Sequence, residues 1–112
     1  YYGREGIQAI LREHIRLAKL FASWVDDAPD FERLAPTDFS VVVFRYHPPG
    51  HPGGEDLDAL NERLLQRVNA SGEVFLSHTR VNGRFAMRLA IGNLRTTEAH
   101  IRRAWDLLRG QG

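Results

Sequence analysis

Few side chains in this 112-residue chain combine the type and spacing that chemistry needs. There is no cysteine, which excludes disulfides, thiolate metal sites and a cysteine nucleophile. Lys19 is the only lysine, every other basic residue being arginine, and it falls in a helical stretch without motif context. His47 and His51 stand close together in the loop HPPGHPGG, but with no third ligand nearby they make an incomplete metal site. His14 falls near the apolar side of the first helix, where a satisfied, partly buried histidine is expected. His78 adjoins Ser77 and Thr79, yet strand alternation sends it to the opposite face, and no serine, histidine and acid share a recognisable local context. Asp26, Asp27 and Asp30 read as a solvated turn at a helix end. Gly50, Gly53 and Gly54 fit neither phosphate-loop pattern. These residues do not add up to a complete active site, so the chain is not expected to be a catalyst on its own.

Arg88 stands apart from this set because of the hairpin that carries it. Asn82-Gly83 is the strongest short hairpin signal, and a two-residue turn there pairs Val81 with Arg84. The register then sets Val74 opposite Ile91, Leu76 opposite Leu89 and His78 opposite Met87. With Phe85 these form an apolar face that must cover helices. The other face carries Phe75, Ser77 and Thr79 against Ala86, Arg88 and Ala90, with Ser77 directly opposite Arg88. A guanidinium framed by two alanines and a hydroxyl suits bidentate recognition of a carboxylate, with room for a ligand or a protein surface to approach. The same pattern also describes a solvated arginine on an open sheet face, or one paired with an acid.

The elements that would position Arg88 follow from periodicity. Ile7, Ile10, Leu11, Ala18, Phe21, Ala22 and Val25 recur at helical spacing, and Asp26-Asp27-Ala28-Pro29 ends that helix. A short strand is expected from Phe31 to Leu34, and a second from Ser40 to Tyr46, whose near-continuous apolarity suggests cover on both faces. A helix from Asp56 to about Ala70 places Leu57, Leu60, Leu64 and Val68 on one side, with Gly72 as its stop. The hairpin strands run from Glu73 to Val81 and from Arg84 to Ile91. The last helix starts at Thr96 or Thr97, with Glu98 near its positive end, buries Ile101, Ala104, Trp105 and Leu108, and closes at Gly110. This order predicts an α+β fold: a four-stranded antiparallel sheet with helices packed on one face, in a single domain.

Composition narrows the partners. An apolar fraction of 43% is ordinary for a globular protein, and a net charge of +1 gives no electrostatic reason to expect nucleic acid or an anionic membrane. No apolar run is long enough to span a bilayer and no signal-peptide pattern opens the chain, so a cytoplasmic protein is the expectation.

Several stretches resemble the group II pyridoxal-phosphate decarboxylases, the family of the aromatic-L-amino-acid and glutamate decarboxylases. Tyr2 to Gln8 (YGREGIQ), running into Ile10 to Ile15, is similar to the helix that begins the family's C-terminal small domain. Val42 to Tyr46 resembles its central strand, Leu64 to Asn69 its second helix, and Phe75 to Ile101 is the most specific piece. The resemblance implies a fold-type I homodimer whose large domain holds the pyridoxal 5'-phosphate on a lysine while the small domain closes one side of the substrate cleft. In the glutamate-decarboxylase branch, an arginine in the strand matching Ala86 to Ile91 contacts the substrate carboxylate. By motif position that residue is Arg88, and the competing role implied for it is to tie the small domain to the large one. The wording is nearer the aromatic branch, which points to an aromatic L-amino acid as substrate.

The chain also departs from the family. The Schiff-base lysine and its preceding histidine are absent, as are the aspartate for the pyridine nitrogen and the histidine that stacks on the ring. The expectation is therefore a domain that is inactive and binds no cofactor alone. The rival reading is a free-standing α+β module for a small ligand or protein, which would need the Arg88 face closed within the domain or dimerised with itself.

Overall fold

The structure, a computed structural model, describes residues 4–37, 39–72, 76–92 and 96–110. Helix α1 (Arg4–Asp27) leads into strands β1 (Phe31–Arg33) and β2 (Val41–Tyr46). Helix α2 (Glu55–Ala70), the hairpin β3 (Ser77–Val81) and β4 (Arg84–Ala90), and helix α3 (Glu98–Leu108) follow. The four strands form one antiparallel sheet in the order β1-β2-β4-β3. This is the expected α+β arrangement, with helices on one side of the sheet.

The core lies between that side and the helices. Phe31, Val42, Phe44, Phe85, Met87 and Leu89 of the sheet pack with Leu17, Phe21 and Val25 of α1, Leu65 and Val68 of α2, and Ile101 and Trp105 of α3. Phe21 sits at the centre, its ring 5.3 Å from that of Phe44 and 5.7 Å, edge-on, from that of Trp105. Burying an aromatic side chain of this size contributes roughly 2–3 kcal/mol. α1 lies against β1 and β2, α2 against β4, and α3 wedges between the two helices. No helix among the described residues is long and apolar enough to cross a membrane.

The turn chemistry fell where the sequence placed it. Asn82 at φ 52° and Gly83 at φ 78° make the hairpin turn and pair Val81 with Arg84. Thr97 is the N-cap of α3, its backbone N–H donating to His100 Nδ1 at 3.0 Å, and Glu98 pairs with Arg16 at 3.5 Å. Gly110, at φ 79°, lies just beyond α3.

Three expectations need correction. The buried stripe of α2 is Leu57, Asn61, Leu65 and Val68, while Leu60 and Leu64 are only half covered. The reason is Asn61, fully buried, whose Oδ1 accepts from Tyr46 N–H at 2.7 Å and whose Nδ2 donates to Tyr46 C=O at 2.8 Å. Turning that amide inward rotates the helix by one position. Second, the β3–β4 ladder starts at Ser77 opposite Arg88, so Leu76 does not join it opposite Leu89. Asn69 takes both backbone groups of Leu76 instead, at 2.7 and 2.9 Å. The expected places of Val74 and Phe75 lie outside the described residues. Third, Ile7 and Leu11 of α1 are half exposed, 51% and 54%, because their turns meet no layer among the described residues.

Candidate functional site

The sheet's second face, turned away from the helices, is where Arg88 stands. Its register neighbours are Val43 on β2 and Ser77 on β3, and Ala86 and Ala90 flank it along β4. Val41 opposite Ala90 and Val43 are partly covered, Ala86 is fully covered and Arg88 is exposed. Ser77 Oγ donates to the Arg88 carbonyl at 3.4 Å, which leaves the guanidinium outside that contact. No hydrogen bond or ion pair joins the guanidinium to another described residue. A cation over a small-residue, largely apolar surface gains most from a carboxylate whose approach also removes water.

On the adjacent strand β2 the same face treats an arginine differently. Arg45 is buried, 5% exposed, and its Nε pairs with Glu32 of β1. Its Nη2 lies 3.3 Å from His47 Nδ1, which is itself 3.4 Å from Glu32 Oε1. Burial pushes the Glu32 carboxyl up, but the Arg45 hydrogen bond and charge, aided by His47, outweigh it and hold the group below the usual carboxylate range. The sequence reading passed over this network. Its signal was present, since a lone arginine between Phe44 and Tyr46 in an apolar strand calls for a partner, and antiparallel pairing supplies Glu32.

The remaining candidates are structural. His47 Nε2 meets the His51 carbonyl at 3.1 Å, and His51 Nδ1 accepts from Gly53 N–H at 2.9 Å, so both rings pin the proline-glycine loop. No group of three potential metal ligands occurs among the described residues. His78 stacks on Phe85, ring centroids 5.4 Å apart, on the side opposite Ser77 and Thr79, and His14 is buried. Asp26 is more than a solvated turn, because its two oxygens bind Arg33 Nε and Nη2 at 3.1 and 3.0 Å. Lys19 is exposed on α1, with Ile15, Arg16, Ala22 and Ser23 at helical spacing around it. That setting has no acid or ring-stacking group to fit a pyridoxal ring.

No family model matches the chain. Individual proteins do. A tyrosine decarboxylase of Narcissus pseudonarcissus is 41% identical over 111 residues, covering 98% of this chain. The crystal structure of Catharanthus roseus tryptophan decarboxylase in complex with L-tryptophan superposes on 98% of the chain with a TM-score of 0.88 and 36% identity. That of Oryza sativa TDC with PLP and tryptamine gives 0.91 and 34%, again over 98% of the chain, and the match covers 24% of that protein. The chain spans about 22% of the length of the curated relatives it matches. In sequence and in fold the chain is thus similar to one segment, about a fifth of the length, of these decarboxylases.

Proposed function

We propose that the chain is the C-terminal small domain of a cytoplasmic pyridoxal-phosphate-dependent decarboxylase of aromatic L-amino acids, in which it closes one side of the substrate cleft and supports a homodimer. The observation that carries this is Arg88, exposed and unpaired with any described residue at the middle of a sheet face that no described helix covers. Its guanidinium either meets the substrate carboxylate or ties the domain to the large one, and the first role uses its planar fork more fully.

Among the described residues, the surroundings of Lys19, the chain's single lysine, do not fit the cofactor. The lysine, the acid and the ring-stacking group it requires belong, on this reading, to a large domain in the same polypeptide. The cofactor supplies the electron sink for loss of carbon dioxide. The contribution of this domain is to bind, orient and exclude water. Arg88 fixes the position of a carboxylate, and Val41, Val43 and Ala90 offer an apolar surface that raises the worth of that contact once water is gone.

A crystal structure of the full-length protein with a substrate analogue tests this directly. The expected result is the Arg88 face covered by the large domain, with the guanidinium at the cleft. That face lying in open solvent would overturn the proposal.

A further inference from the structure

Leu60 and Leu64, which the sequence pattern assigns to the core, line an open groove of about 370 Å³ between α2 and the end of α3. Its floor is aromatic, the rings of Phe31 and Tyr46 standing 5.1 Å apart. Its rim is basic: Arg63 and Arg67 from α2 and Arg109 from just beyond α3 face a single carboxylate, Asp30. The volume is within the range of small-molecule sites, about 300–1,000 Å³.

Two of the three guanidinium groups are held in place. Arg67 Nη2 donates to the Leu107 carbonyl at 3.2 Å, which also covers one of the helix-end carbonyls that would repel an anion. The Arg109 guanidinium lies over the Trp105 ring, 5.7 Å from its centroid. Arg63 is exposed and makes no hydrogen bond or ion pair with another described residue. The groove thus joins an apolar, aromatic wall that water covers poorly to a rim with surplus positive charge, part of it pre-organised.

We propose that this groove is a second ligand site, for a small carboxylate with an aromatic body. The ring lies against Phe31, Tyr46 and Leu64, and the carboxylate faces Arg63 and Arg109. Phe31 and Tyr46 belong to the helix-covered side of the sheet, so this site and the Arg88 face are on opposite sides of it.

Calorimetric titration of the full-length protein with 3-phenylpropionate, and with its uncharged amide, tests the site. Saturable binding of the carboxylate is expected, and about tenfold weaker binding of the amide. The double variant R63Q/R109Q should bind the carboxylate about tenfold more weakly, L64W should abolish binding by filling the groove, and R88Q should leave this binding unchanged. The proposal is overturned by no saturable binding, by equal binding of the amide, or by R63Q/R109Q matching the parent. Loss in R88Q alone would also overturn it, by moving the ligand to the opposite face.

Discussion

Arg45 and Arg88 lie on one face of one sheet, on adjacent strands, two register positions apart. Arg45 is buried with Glu32 and His47 around its guanidinium, whereas Arg88 is exposed and unpaired with any described residue. Burial explains the first. A charge withdrawn from water must find a counter-charge within the fold, and β1 brings Glu32 to it. Nothing within the described fold explains the second, since an arginine there gains little for the domain itself. The difference separates an arginine that holds the domain together from one that is available to something outside it.

The largest expected effect tests the available arginine. In the full-length protein R88Q should lower kcat/KM for an aromatic L-amino acid by about 100-fold, the loss of a charge-assisted contact to a carboxylate. R88K should recover only part of it, because an ammonium cannot present the planar fork. Chemical denaturation of R88Q should change stability by no more than about 0.5 kcal/mol, as for an exposed residue without partners. A destabilised or dissociated R88Q enzyme with parental kcat/KM would reassign Arg88 to tying the domains together.

The reverse is expected at Arg45. R45M should leave the chemistry near the parent level and cost roughly 2–3 kcal/mol, less than a fully buried pair because Glu32 is partly open to water. Much of that cost is the orphaned carboxylate, so E32Q added to R45M should restore roughly 1 kcal/mol in urea denaturation. No recovery would mean that Arg45 acts by packing its stem over the sheet and not through its charge.

Most of this frame was legible in the residues, for reasons that also explain what was not. Asn82-Gly83 fixes the hairpin because both positions need a left-handed backbone, and that register put Ser77 opposite Arg88 as observed. The misread stripe of α2 has the opposite cause. Leu57, Leu60, Leu64, Val68 and Leu57, Asn61, Leu65, Val68 are both sound helical stripes, and hydrophobicity favours the one with more leucine. The choice was made by hydrogen bonding across chain-distant elements. Asn61 and Asn69, two turns apart on α2, each pair with both backbone groups of one residue, Tyr46 and Leu76. Asp58, one turn before Asn61, accepts from Phe85 N–H at 3.0 Å. Such contacts leave no periodic trace. The Arg45–Glu32 pair was half legible: an arginine between Phe44 and Tyr46 calls for a partner, but which acid answers is decided only once β1 and β2 are in register.

The smallest effect is the pH dependence of that pair, and its sign is fixed by the direction of the Glu32 shift. Arg45 and His47 hold the native carboxyl below its ordinary value, so the unfolded chain takes up a proton first as pH falls. The contribution of Glu32 to stability is therefore fully present above the unfolded value, about 4.3, and declines as pH drops through the lower native value. Comparing unfolding free energies of the parent and E32Q across that window isolates the group. The parent should be the more stable at neutral pH, with the gap closing steadily below about pH 4.3 as the carboxylate is protonated. A gap independent of pH would mean that the Glu32 contact with Arg45 works as a neutral hydrogen bond. The two arginines of this face would then differ in packing alone and not in how their charge is met.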